Sequence, residues 1–341
     1  MGILKSKLEK DEDCREVEQH IQALRNLLSG KRVVALDTCV LGELEQDKPP
    51  AWFNHFQAMS DDGVRFAIPD LCVGERLKCF ANANQSYLST MRGKWKRMVS
   101  RLDSIIWKDL PCLPLRGDLF DIVGIGENGV KGCREHPFTV CKSQELYEYF
   151  HDYENSRYNS PEYLVQFDEA IEIVRKDWKD TVLRFRLESR EISKEQLLSA
   201  VLVIQARTFS FPEDASQMVE LPFRFLIERA YDMSYCNPAL GKRTKNDGLD
   251  FQMLYLTMAF INVCSTDRFF RMAHDLECVR SCSCHTPGTL LRDWQAGNLP
   301  TVKLDSVSGG LAGADASSIG VQDARAFSAS GSRNKLSLMK N

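Results

Sequence analysis

Four acidic residues stand where a chain can do chemistry on a phosphodiester. Asp37 directly follows the apolar run Val33-Val34-Ala35-Leu36, and Asp267 follows the strand candidate 261–265. Glu75 falls in a helix after the second strand candidate, Val64–Ile68. Asp250 stands near the start of a later helix, with Asp247 three residues before it on the same helical face. In a parallel α/β sheet the carboxyl ends of the strands share one edge, so such side chains can meet there. Clustered carboxylates repel one another and take up protons unless a cation neutralises them. Hard ions with oxygen ligands, Mg²⁺ or Mn²⁺, suit that role. They deprotonate a water, orient it in line with phosphorus and stabilise the leaving oxygen, so no Lys, His or Ser nucleophile is required. For one Asp taken alone, a helix cap or a strand end is the simpler reading; four in this register point to chemistry.

The elements that must position them follow from period and punctuation. Residues 10–29 carry Val17, Ile21, Leu24 and Leu28 at helical spacing, closed by Gly30. The run 33–36 is short, apolar and bounded by Gly30 and Asp37, as a buried parallel strand should be. A helix is expected over 50–60 after Pro49-Pro50. The turn Asp62-Gly63 leads into the strand 64–68, and Pro69-Asp70 open a helix running to about Phe80. This βαβα order implies a parallel sheet covered by helices. The spacing predicts further helices over 86–107, 143–154, 161–190, 193–208, 218–233 and 250–260, with irregular loop over 111–137. A strand is expected at 261–265 and a last one over 276–281. From Asp305 onward, Ser, Gly and Ala make up 19 of 37 residues, too few large apolar groups to offset ordering entropy, so disorder is expected over 303–341.

Val33–Leu41, with Asp37-Thr38 at its centre, resembles the opening signature of PIN domains. Ile68–Leu77, containing Glu75, resembles their second motif. Asp250–Ala259 and Val263–Phe270, the latter with Thr266-Asp267 before an aromatic pair, resemble the third and fourth. The resemblance covers 31–82 and 241–302. It implies a PIN-like three-layer α/β/α domain with a central parallel sheet, interrupted by a large, mostly α-helical insertion over 83–240, with a separate amphipathic helix over 1–30. It implies a metal-dependent nuclease, an endoribonuclease first, in which Asp37, Glu75, Asp250 and Asp267 hold one or two Mg²⁺ or Mn²⁺ ions. Thr38 and Thr266 would orient neighbouring carboxylates, and Asp247 is the alternative third ligand.

Arg92, Lys94, Lys96 and Arg97 surround Trp95 in a stretch without acid, which offers phosphate neutralisation and a stacking ring. Lys242, Arg243 and Lys245 lie just ahead of the acidic helix, where phosphates would approach a negative site. Arg184, Arg186 and Arg190 form a third group, for which a solvated helix face is the simpler reading. Cys278, Cys282, Cys284 and His285 could in number hold zinc, but the C-x-x-x-C-x-C-H spacing lacks a C-x-x-C pair, and free thiols are the expectation. His151 lies among aromatic residues and reads as a packed or surface histidine.

The chain has 341 residues, a net charge of −3 and 43% hydrophobic residues, which excludes wholesale disorder. No apolar run reaches the ~20 residues of a membrane span, and no signal-peptide core is visible. Met1-Gly2 with Ser6 matches the loose myristoylation pattern by chance. Twelve scattered cysteines read as reduced thiols of a cytoplasmic protein. The partners expected are nucleic acid, RNA before DNA, together with a regulatory protein and a second copy of the chain, and no membrane. The competing readings are a DNA nuclease acting on flaps or phage DNA, a catalytically idle PIN-like scaffold, and a toxin restrained by an antitoxin.

Overall fold

Val33, Val34, Ala35 and Leu36 are all fully buried, as an apolar run covered on both faces requires. They form the middle of a five-stranded parallel sheet in the computed structural model, which describes residues 19, 22–81, 85–113, 140–153, 172, 176, 247–254, 256–257, 260–267, 270 and 284–302. The strands are β1 (Arg32–Leu36), β2 (Val64–Pro69), β3 (Cys112–Leu113), β4 (Asn262–Cys264) and β5 (Cys284–His285), in the spatial order β3-β2-β1-β4-β5. The register sets Val34 beside Phe66 on one side and Asn262 on the other, and Cys264 beside His285. Strand order reverses between β1 and β4. That reversal is the topological switch point at which open α/β sheets bind ligands, outside the carboxyl ends of the strands.

The helices are α1 (22–28), α2 (Thr38–Glu43), α3 (Phe53–Asp61), α4 (Asp70–Ala81), α5 (Gln85–Leu102), α6 (Val140–His151), α7 (Asp247–Leu254) and α8 (Pro287–Gln295). Leu24 and Leu28 anchor α1 in the core. Gly30 ends it at φ +71°, a conformation that glycine adopts without a Cβ penalty. Helices α3 and α8 pack on each other. Phe56 of α3 stacks on Phe66 of β2 at 4.8 Å, and Trp294 of α8 donates to Asp62 at 2.8 Å. A second group joins α2 to α4 and α4 to α6, while Trp95 of α5 packs against Phe150 of α6 at 4.8 Å.

One helix forms where none was expected, and three local expectations are corrected. Helix α2 follows Asp37 directly, although Thr38 and Val40 are weak helix formers. Asp37 starts it by accepting the Thr38 N–H at 2.7 Å. The helix expected over 86–107 stops at Leu102. The chain then turns, and Ile106 bridges to Phe66. The loop expected from Pro111 begins instead with β3, whose two residues are too few to display any period. Its Cys112 is sealed by the buried Ser143 of α6, whose hydroxyl accepts the Cys112 N–H at 2.9 Å and donates to the Cys112 carbonyl at 2.8 Å. The expected helix over 50–60 begins only at Phe53, beyond Pro49-Pro50.

The loop over 114–137, the helices over 193–208 and 218–233, the strand over 276–281 and the tail over 303–341 lie outside the described residues. Of the helix expected over 161–190, only 172 and 176 are described, both helical. Among the described residues no helix is long and apolar enough to cross a membrane.

Candidate functional site

The site is assembled at the switch point from the ends of β1 and β4 and the start of α4. Asp37 leaves the carboxyl end of β1 with only 5% of its surface exposed. One carboxylate oxygen accepts the Thr38 N–H at 2.7 Å and faces the Cys72 thiol at 3.9 Å. The other accepts the Cys39 thiol at 2.8 Å and the Ser265 hydroxyl at 2.6 Å. Ser265 follows β4, is fully buried, and its oxygen also accepts the Asp267 N–H at 3.0 Å. The Thr266 N–H points at the Cys39 sulfur, 3.1 Å away. Thr38 donates its hydroxyl to Glu75 at 2.7 Å, which ties the start of α2 to α4. Thr38 thus joins Asp37, through its N–H, to Glu75, through its hydroxyl, and the Ser265 hydroxyl joins Asp37 to the backbone N–H of Asp267. Asp250 sits half-buried on α7, the helix whose Met253 accepts the Cys72 thiol at 3.6 Å. The side chain of Asp247 lies outside the described residues.

Charge governs this cluster. Burial pushes the Asp37 carboxyl above its usual range by more than the hydrogen bonds from Cys39, Ser265 and Thr38 pull it down, and the charge of Asp267 adds to the rise. Among the described residues no Lys or Arg pairs with Asp37. Burial raises the Cys39 thiol to about 11, with Asp37 adding to it, so the thiol stays protonated and remains a donor. Cys72 is raised well above the ordinary thiol range by burial, and then by Asp37 and Glu75.

Carboxylate and hydroxyl oxygens without imidazole are the donor chemistry that a hard cation takes. The oxygens of Asp37, however, are occupied by protein donors. Among the described residues no group of three or more His, Cys, Asp or Glu side chains converges as a set of metal ligands.

Two residues that organise this site escape sequence reasoning. The hydroxyl on Asp37 belongs to Ser265 rather than Thr266, which contributes its backbone N–H. Cys39 is the other. The available signal was position: they are small residues one and three places beyond an apolar strand.

The basic stretch of α5 divides. Trp95 is a correction: it is 5% exposed, donates to the Phe150 carbonyl at 3.1 Å and packs on Phe150, so its faces belong to the core and not to a base. Arg97 donates to the Glu45 carbonyl at 2.9 Å and pairs with Asp47 at 3.0 Å. Arg101 donates to the carbonyls of Leu44, Gln46 and Asp47. Together they fasten the segment after α2, where carbonyls left open by the helix end need donors. Glu45 in that segment also pairs with Arg76 of α4. Lys94 lies on the same side of α5 and rests on the ring of Tyr87. Arg92 and Lys96, one turn apart, are exposed on the opposite side.

Cys284 and His285 are consecutive in β5 and project to opposite faces of the sheet, which prevents them from sharing a zinc ion. Cys278 and Cys282 lie outside the described residues, as do Lys242, Arg243, Lys245, Arg184, Arg186 and Arg190. His151 pairs with Asp103 at 2.8 Å at the end of α6.

No protein-family model, curated protein or solved structure matches the chain.

Proposed function

We propose that the protein is a metal-dependent nuclease, an endoribonuclease first, built on a PIN-like three-layer α/β/α domain with a large helical insertion. The observation that carries this reading is Asp37. A buried carboxylate at the switch point of a parallel sheet, pushed toward protonation and close enough to Asp267 to feel its charge, is a site in want of a cation. The residues to hold Mg²⁺ or Mn²⁺ are Asp37, Glu75, Asp250 and Asp267. What a bound hard cation supplies there is an activated water and charge neutralisation at phosphorus. The protein's own part is positional. Ser265 and Thr38 N–H fix the Asp37 carboxylate, Thr38 Oγ1 fixes Glu75, and the Asp267 N–H on Ser265 fixes the turn that carries Asp267. Arg92 and Lys96 form the surface for a nucleic-acid backbone.

The deciding experiment is cleavage of labelled RNA, with DNA in parallel, in Mg²⁺ or Mn²⁺ by the native chain and by Asp37→Asn. Loss in the variant is the expected result, and equal cleavage by both removes the assignment. Cleavage of DNA alone moves the substrate while keeping the site. A second reading, an idle PIN-like scaffold, draws on the protein donors that occupy Asp37 and on the lack of a converged ligand set among the described residues. Absence of Mn²⁺ binding in electron paramagnetic resonance, together with no cleavage of either polymer, would favour it.

A further inference from the structure

His285 lies on the edge strand β5 and is 6% exposed. Its Nε2 stands 3.1 Å from Asn262 Oδ1. The Asn262 amide cannot be turned round, because its Nδ2 donates to the Val33 carbonyl at 3.0 Å and a carbonyl only accepts. Asn262 therefore presents an acceptor, and Nε2 must carry a proton. The other ring nitrogen, Nδ1, stands 3.4 Å from Asp293 Oδ2 of α8, an ion-pair contact. A neutral ring protonated at Nε2 would leave Nδ1 without a proton 3.4 Å from that carboxylate, a contact outside hydrogen-bond geometry in which charge decides the sign. A second proton makes it attractive.

We infer that His285 is held as an imidazolium at neutral and mildly alkaline pH, a buried cation that positions the catalytic edge of the sheet by tying β4, β5 and α8 together. Among the described residues the charged and titratable groups around it are Asp293, Arg292 beside Asp293 at 3.1 Å, and the Cys264 thiol on the neighbouring strand. Arg292 is mostly exposed and draws off part of the Asp293 charge, while the fixed Asn262 acceptor holds the Nε2 proton in place. The consequence reaches the acidic site through the backbone. The His285 carbonyl accepts the Ser265 N–H at 2.9 Å, and Ser265 is the hydroxyl donor to Asp37. Loss of the ring proton at higher pH loosens β5 and, with it, the residue that orients Asp37. His285 touches no substrate in this account; it is a positioning residue.

Nitrogen-15 NMR of the histidine-labelled full chain, with the His285 signals assigned by their loss in His285→Gln, reads the protonation directly. The expected result at pH 8 is that both ring nitrogens carry protons, while an ordinary histidine, with a pKa near 6.5, is almost wholly neutral. In Asp293→Asn the ring should titrate about 1–2 pH units lower than in the native chain, with unchanged circular dichroism. A neutral ring in the native chain at pH 7, or a titration midpoint unmoved in Asp293→Asn, overturns the inference. If His285→Gln fails to fold, the Asp293→Asn comparison still decides, since the signal that shifts is then the one assigned. The readout is independent of nuclease activity, so an inactive protein with a doubly protonated His285 would reject the enzymatic reading and leave this one standing.

Discussion

Asp37 carries a cost that follows from its surroundings. Its native pKa is raised above the unfolded value by burial, so the native state binds a proton more tightly than the unfolded chain. Stability contributed at this site is therefore greatest at acid pH, and falls as pH rises from the unfolded value of 3.8 through the raised native one. Asp37→Asn removes that charge while keeping the shape. Its amide nitrogen faces donors that the carboxylate accepts, which costs stability at every pH, but loss of the buried charge should make the variant fare better, relative to the native chain, at pH 7 than at pH 4. Calorimetry at the two pH values checks this, and a variant less stable at pH 7 than at pH 4, relative to the native chain, contradicts it. Ser265→Ala should destabilise the native state. It strips a donor from Asp37 and an acceptor from the Asp267 N–H in a fully buried place, a loss of about 1–3 kcal/mol in urea unfolding. Both residues were within reach of sequence reasoning, but only Asp37 was found. An acidic residue after an apolar run advertises itself, while a serine in the same place could as well end the strand.

At the scale of elements, the edges of the sheet are where the sequence was least legible and where single side chains matter most. Strand β3 has two residues, and one hydroxyl of α6 satisfies both backbone groups of Cys112. Ser143→Val, which fills the space without the hydrogen bonds, should cost about 1–3 kcal/mol, measured by denaturant midpoint. Ser143→Thr should recover part of that loss if the packing admits the methyl group. Strands β1 and β2 announce themselves because four consecutive apolar residues in β1, and an apolar segment broken only by Arg65 in β2, follow glycine turns and leave few alternatives. Helix α2 did not, because its start is set by the Asp37 side chain rather than by helix propensity.

Across the whole molecule, the split of the basic stretch separates stability from binding. Trp95→Ala should cost about 3–5 kcal/mol, as emptying a large aromatic site does. Arg92→Glu with Lys96→Glu should change stability by no more than ~0.5 kcal/mol per site, because both side chains are exposed. On the proposed function, the same pair should weaken RNA binding and flatten its salt dependence, read by titration at two salt concentrations. Arg97→Glu belongs with the structural class, since it breaks the tie to the segment after α2. The parallel α/β character, the buried strand over 33–36, the helix after the second strand and the placing of Asp37 at a strand end were all determined by the sequence alone, because apolar run length and local turn chemistry are properties of adjacent residues. The order β3-β2-β1-β4-β5, the meeting of Ser265 and Cys39 at Asp37, the burial of Trp95 and the contacts of His285 with β4 and α8 were decided only in the tertiary structure. Apart from the Cys39–Asp37 and His285–Asp293 contacts, which are short in sequence, these join residues tens to hundreds of positions apart, and no local pattern records which distant group will take up a given donor, acceptor or face.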